Sequence, residues 1–540
     1  MRLVVSNRII KFSLSIALCL FTSFVYAAEV IDLRNYPSEL FQKVSGIPSF
    51  QKKSDSSKEL EKLSEYTDTK DQTHARYQQF YQGIPVFGLQ VLTHQKKNDQ
   101  NLSGKFVLGI EKDIPVVEKD TDLKSKNLLA ELKSDYQKKY DGKLIWNTEN
   151  EHAKAVIFLD QNSKAHLAYY ISFSFIDLVS KTFSRPSFLV DAHTKAILKS
   201  WEGMHSYESD KYNKVVKAMG PGGNLKTGWY EYGKDKPFLQ VTHDIKGTCH
   251  LYNDLVKIVD WSNFMEPQHP QWQCGSQMPY HEGDAINGAA SPANDALFFG
   301  TYTLNTFKLY FGETGIKPRK LVINLHMGMS DGARWDGSAI LIGDGDDEAY
   351  PFTTLDVIAH EIGHAVSDNY SNLIGEGESG ALDESFSDIM AKSIEAIYNK
   401  TISTPKKVNW VIGADVNKDG TPFRYFDDPS KDGVSIGHIK DFTASLDPHY
   451  ASGIFNRVFY LMANSPVPDN SFPPMMRASF EGFVRANKVY WYPTITLTDA
   501  AWGLAQAMED LYGSKGASVA ISALEEVGIN CSGRCGINGG

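Results

Sequence analysis

The chain has 540 residues, too many for one hydrophobic core, so several folding units are expected. Its composition, 42% hydrophobic, 22% charged and 12% aromatic, excludes an aromatic-poor disordered chain. A formal charge of −10 without a long basic run leaves no nucleic-acid footprint. The first segment reads as an address: Arg2, Arg8 and Lys11 precede an apolar stretch from Phe12 to Val25, then the small-residue cleavage site at Ala27-Ala28. Residues 1–28 are expected to be a signal peptide and the protein to be secreted. The rival is an uncleaved anchor, but the apolar run falls short of the ~20 residues of a spanning helix. No later segment reads as a membrane span, so no membrane partner is expected after signal removal.

Residues 29–206 alternate Lys-rich polar stretches with strand-like runs and are expected to form two α+β modules, 29–105 and 106–206. Arg76 to His94 reads as two strands around a Gly83-Ile84-Pro85 turn. His166 to Ser174 reads as a partner of Pro186 to Trp201, with turn residues at Asp191 to Thr194. A polar linker, 207–219, leads to the turn cluster Gly220-Pro-Gly-Gly-Asn224, where the main boundary is set. Residues 220–352 then read as a β-rich lobe with one helix at Ala293 to Phe311. Residues 353–540 read as a helical lobe, with segments at 353–369, 380–399, 449–463 and 495–512. Outside the signal stand Cys249, Cys274, Cys531 and Cys535. In an oxidising compartment an even set points to two bridges, and of three pairings proximity favours Cys249 with Cys274 and Cys531 with Cys535.

The chemistry is concentrated in Thr353 to Asp368. Leu355, Ile358, Ala359, Ile362, Ala365 and Val366 follow a helical period, and Thr353 with Asp356 resembles a capping box. His360 and His364, four residues apart, then project from one face, where two neutral imidazoles can bind one Zn²⁺. Glu361, about 100° round the helix, is near enough to hold a water beside the metal rather than the metal itself. Glu384 follows His364 by twenty positions on a second predicted helix and completes a three-ligand, catalytic type of site. Asp388, one turn further on, is placed to accept the free N–H of a ligand histidine, His360.

With these motifs, nearly everything after Gly220 resembles the thermolysin-like zinc metalloendopeptidases, in particular their secreted, elastase-like branch. The likeness includes Trp335-Asp-Gly-Ser, Gly343-Asp-Gly-Asp346, Phe423-Arg424-Tyr425 and Asp447-Pro-His449. The earlier strand runs resemble the propeptide modules of such proteases. The resemblance implies an α+β fold: a bilobal protease, β-rich then helical, with the active-site helix between the lobes and an α+β propeptide in front. It implies a hydrolase made as a zymogen that processes itself, with its propeptide as intramolecular chaperone and inhibitor and proteins and peptides as substrates.

Residue by residue, it gives zinc to His360, His364 and Glu384, the general base to Glu361, the oxyanion donor to His449 with Asp447 orienting it, and a substrate carbonyl to Arg424. Phe352, Val357 and Phe423 would line the pocket after the scissile bond, favouring an apolar residue there; the bulk of the two phenylalanines implies Leu, Val or Ala before Phe. Asp356 and Glu395 match calcium carboxylates, but Val411 and Ala414 stand where two-calcium members carry acids. A single calcium thus stays open beside the reading that Asp356 caps the helix. Three further departures stand out. Gly375 replaces the family's oxyanion-assisting tyrosine, and Asp383 replaces an asparagine. The substrate-binding edge strand reads Gly332-Ala333-Arg334-Trp335 without its asparagine, so that Ala333 offers main chain alone. Gly332 and Gly375 favour one alternative, a catalytically weakened or inactive zinc-binding surface or scaffold protein of the same fold.

Overall fold

The computed structural model describes residues 28–35, 60–68, 72–96, 99–117, 120–140, 144–177, 182–202, 214–263, 267–274, 278–317 and 320–530. Residues 1–27 of the expected signal, most of the linker before 214, and the expected Cys531 and Cys535 bridge lie outside them.

The two N-terminal modules share one sheet. Its strands run Glu29–Asp32, Asp99–Leu108, Ile84–Lys96, Leu144–Leu159, Ala165–Asp177, Pro186–Asp191 and Ile197–Glu202, with Leu60–Thr67 and Gln72–Tyr81 joined at Ile84–Lys96. The parallel bridge Val86 to Ile157 links the modules. Helix α1 (Thr121–Lys139) buries Leu128 and Leu129 in the same cluster as Ile157 and Phe173. The hairpin turn is tighter than the sequence implies: Tyr81 pairs with Ile84, leaving Gln82 and Gly83 as a two-residue loop with φ of 47° and 83°. The Asp191 turn reverses Pro186–Asp191 into Ile197–Glu202, and Pro186–Asp191 pairs on its other side with Ala165–Asp177.

The β-rich lobe begins earlier than the turn cluster. Lys214–Ala218 pairs antiparallel with Leu239–His243, which continues to Thr248–His250 and Gln271–Gln273. The cluster at Gly220 is a seat for the start of the helix Pro292–Phe311. Gly223 N–H donates to Asp295 Oδ2 at 2.9 Å, and the Tyr230 and Tyr232 hydroxyls donate to Oδ1 at 2.8 and 2.7 Å. A Cβ on Gly222 would lie 2.5 Å from Asp295, so only glycine permits the approach. The buried Cys249 and Cys274 are joined by a disulfide. A second sheet orders Val256–Asp260, Leu321–Leu325 and Ala339–Ile342 in parallel and ends on the antiparallel edge strand Ala333–Trp335. Helix α2 (Pro292–Phe311) starts at Ser291, whose hydroxyl accepts Asn294 N–H.

Helix α3 (Leu355–Tyr370) crosses the core, with Ile358, Ala359, Ile362 and Val366 buried. The capping box does not form. Thr354 is the N-cap, its hydroxyl donates to Asp356 Oδ1 at 2.6 Å, and Asp356 Oδ2 accepts Gly413 N–H at 2.8 Å, so this aspartate ties the helix to a later loop. Helix α4 (Gly377–Tyr398) packs on α3 so closely that a Cβ on Gly363 would lie 2.6 Å from Ser387 Cα. The segment expected at 449–463 divides into a short turn, Pro448–Ala451, and α5 (Gly453–Ala463). Helix α6 (Met475–Val489) was not expected, and α7 (Leu497–Glu526) continues past a kink at Gly513, where the sequence reading ends it.

The N-terminal sheet docks on the helical lobe through buried polar contacts. Arg76 donates to the carbonyls of Trp491, Asn487 and Lys488 at 2.8, 3.0 and 2.6 Å, taking up acceptors left open at the C-terminus of α6. Arg34 and Lys105 both pair with Asp499 at the start of α7.

Candidate active site

Helices α3 and α4 bring His360, His364 and Glu384 together, with ligand atoms all within 4.8 Å of one another. The two Nε2 atoms are 3.1 Å apart, and Glu384 oxygens lie 3.4 Å from His360 Nε2 and 3.5 Å from His364 Nε2. Each ring turns its other nitrogen to a carboxylate: His360 Nδ1 to Asp388 Oδ1 at 2.8 Å and His364 Nδ1 to Asp383 Oδ2 at 2.7 Å. A carboxylate only accepts, so both Nδ1 atoms carry hydrogen, and when the rings are neutral two Nε2 lone pairs face each other. Glu384 Oε2 and Glu361 Oε2 are buried beside them without a hydrogen-bond partner among the described residues. Such a set requires positive charge at its centre. Burial works against protonating the rings, yet Asp388 and Glu384 outweigh it at His360, and Asp383 and Glu384 at His364, raising them to about 9 and about 10. The residues fit a zinc ion with one corner left for water.

The surrounding shell is built by the same two helices and the loops after them. Asp388, fully buried, accepts from Arg424 Nε and Nη2, both at 2.7 Å, and from Asn456 Nδ2 at 2.8 Å. Despite burial, the Arg424 guanidinium and the His360 ring hold its carboxyl well below the usual carboxylate range. Arg424 thus both lines the cleft and orients the carboxylate behind His360. Asp447 Oδ1 accepts from His449 Nδ1 at 2.7 Å, and His449 Nε2 reaches to 3.4 Å from Glu384 Oε1. Both side chains are about half exposed at the cleft mouth.

The cleft encloses about 990 Å³. Phe352, Val357 and Phe423 line it together, with the two phenyl rings stacked at 6.0 Å. Ala333 lies on the edge strand, whose outer side has no strand partner among the described residues. Gly332, at φ 71°, and Gly375 also line the cleft, and a Cβ on either would meet nothing within 4 Å. Asp356 and Glu395 lie apart from this cavity.

Two features escape the sequence reading. Asp368, one turn past His364 on α3, accepts Trp335 Nε1–H at 2.7 Å and so anchors the edge strand to the metal-site helix. Burial first, and Asp383 second, push its pKa up to about 6. Its i+4 spacing from His364 was the available signal. The other feature is the cleft's far wall, where Phe87, Tyr170, Arg185, Ser187 and Trp201 come from the N-terminal sheet, far earlier in the chain than the helices they face.

Family models match residues 225–368 as the thermolysin metallopeptidase catalytic domain, 371–529 as its alpha-helical domain, and 58–103 as the fungalysin/thermolysin propeptide motif. A neutral protease of Vibrio proteolyticus is 35% identical over 467 residues, covering 85% of this chain and 71% of the relative. The chain belongs to the thermolysin family. A zinc metalloproteinase of Legionella pneumophila is 32% identical over 84% of this chain and 86% of its own length. Among solved structures, the precursor of protealysin, a metalloproteinase from Serratia proteamaculans, is 22% identical, with a TM-score of 0.42 over 51% of this chain and 88% of that one. This thermolysin-family member is therefore a zinc-dependent metalloendopeptidase made as a propeptide-bearing precursor, with the α+β, two-lobed protease fold that its motifs imply.

Proposed function

We propose that the chain is a secreted endopeptidase in which His360, His364 and Glu384 hold zinc, Glu361 is the general base and His449 the oxyanion donor. The observation that carries this reading is the facing pair of Nε2 atoms 3.1 Å apart beside two partnerless carboxylate oxygens, one of them on Glu361. When bound, zinc supplies a Lewis acid that acidifies water and polarises a carbonyl. Glu361 takes the proton of the attacking water and delivers it to the leaving amine. His449, held by Asp447, donates to the oxyanion as it forms, while Arg424 binds the substrate carbonyl beyond the cut and keeps Asp388 in register behind His360. The outer edge of Ala333–Trp335 pairs with the substrate main chain. A zinc-binding scaffold would need neither Glu361 nor the Asp447 and His449 pair aimed at Glu384.

Phe352, Val357 and Phe423 receive the apolar side chain after the cut. The stacked phenyl rings shorten this pocket, so a peptide library should be cleaved before Leu, Val or Ala more often than before Phe; dominant Phe would refute the assignment. The Lys214–Ala218 strand favours a maturation cut on its N-terminal side, within the His205–Met219 window, by the enzyme itself, with the propeptide acting until then as chaperone and inhibitor. Casein hydrolysis by the mature protein should stop with chelator and return with zinc. Glu361→Ala should abolish it by at least about 10²-fold and leave the precursor unprocessed when expressed alone. Normal processing of that variant would reject self-cleavage.

A further inference from the structure

The acidic cluster to which calcium would be assigned already contains a cation. Asp356 at the start of α3 and Asp415, on the loop after the short strand Val411–Ile412, both act by their charge on Glu395 of α4. Lys392, three residues before Glu395, is 1% exposed, and its Nζ pairs with Glu395 Oε2. Burial raises the pKa of both Glu395 and Asp415, the Asp356 charge adds to the rise, and in each case Lys392 opposes it. One buried ammonium thus meets Glu395 directly, and with Lys226 it opposes the negative charge at Asp415.

Little is left for a hard ion to bind. A calcium ion takes six to eight oxygens. Asp356 Oδ1 is engaged by Thr354 Oγ1 at 2.6 Å and Val357 N–H at 3.0 Å, and Oδ2 by Gly413 N–H at 2.8 Å. Val411 and Ala414 bring no side-chain oxygen. The loop's carbonyls meet a second ammonium: Lys226 Nζ donates to Ala414 O at 2.5 Å and Asn417 O at 3.2 Å.

We infer that Lys392, paired with Glu395, is the resident cation of this cluster, and that the loop at 411–417 is held without calcium, by Asp356 on Gly413 N–H and by Lys226 on the Ala414 and Asn417 carbonyls. The loop matters to the cleft, because Ile412 pairs with Arg424 and lines the cavity. On this inference the cleft wall does not depend on external calcium. The residues that would bind the ion remain in part, but the charge they need arrives on a side chain.

The test uses the full-length, zinc-loaded chain carrying Glu361→Gln to prevent self-digestion. After dialysis against micromolar calcium, elemental analysis should find no bound calcium, and millimolar calcium chloride should move the Tm by less than about 1 °C. Lys392→Glu in the same background adds an acid in place of the cation; it should lower the Tm without calcium, and millimolar calcium should then restore about 5 °C. One calcium per chain with Lys392 intact, or a Tm that rises with calcium there, overturns the inference. So does a Lys392→Glu chain indifferent to calcium. The elemental analysis needs no change at Lys392 and decides the matter even if Lys392→Glu fails to fold.

Discussion

At Gly375 the cleft lacks a donor that the fold has room for. Nothing lies within 4 Å of a Cβ built there, so a side chain can be added without displacing a neighbour. A hydroxyl reaching the oxyanion from this position would act only on the charge that develops during reaction, and one such donor is worth about 2.7–4 kcal/mol in well-studied hydrolases. Gly375→Tyr should therefore raise kcat by up to about 10²- to 10³-fold on a short peptide with little change in KM; a change confined to KM would mean that the new ring only binds substrate. Among single residues, legibility follows sequence distance. His360, Glu361 and His364 share one helix, and Glu384 and Asp388 share the next, so spacing alone aligned them. Asp383 turning to His364, and Asp368 turning to Trp335, are contacts of side-chain direction between elements, which no periodicity encodes.

The elements divide along the same line. Helices α3 and α4 stood out through apolar periodicity, and the end of the predicted segment at 512 coincides with Gly513, whose φ of 67° breaks α7 before it resumes. Helix α6 escaped because Pro473-Pro474 reads as a loop and Gly482 as a breaker. Its glycine has a packing reason: a Cβ at Gly482 would lie 2.4 Å from Met508 Sδ on α7, so the residue that lowers helix propensity lets the two helices meet. Met508 is buried and can yield only in part. Gly482→Ala should thus lose more to overpacking than it gains in propensity, with a net destabilisation of about 1–2 kcal/mol measured by denaturant unfolding. Stabilisation instead would mean that Met508 rotates freely out of the way. The beginning of the β lobe at Lys214 was missed for a related reason: Lys214 to Ala218 is short and polar at its edge, and only its partner Leu239–His243 makes it a strand.

Across the whole molecule, the propeptide and the helical lobe meet on a chain of neutral histidines. Arg485 Nη2 lies 3.1 Å from His74 Nε2, which must therefore accept; His74 Nδ1 then donates to His94 Nδ1 at 2.9 Å, and His94 Nε2 donates to Ser103 Oγ at 2.8 Å. Arg485 itself is held by Asp68 and Asp510, and the His94 ring packs on Tyr490 at 4.7 Å. A second proton on His74, at Nε2, would set N–H against the Arg485 N–H, with only Asp68 Oδ2 at 3.5 Å to receive it. Burial, then the Arg485 charge, accordingly lowers the His74 pKa from 6.5 to about 4, and burial holds His94 well below its usual value. Both histidines therefore favour the folded precursor while neutral. The His74 contribution is whole above about pH 6.5 and is lost as the pH falls through about 4, because the unfolded chain then binds a proton that the folded one refuses; His94 acts in the same direction. The Asp68 and Asp510 carboxylates moderate the loss but do not reverse its sign at His74. For the Glu361→Gln precursor, stability between about pH 6.5 and 4 should fall by about 1.4 kcal/mol per pH unit for each proton taken up. Replacing both rings with neutral glutamines, His74→Gln with His94→Gln, should flatten that slope while leaving the high-pH side less affected. An unchanged slope in the double variant would mean that acid loosens the precursor through its carboxylates and not through this interface.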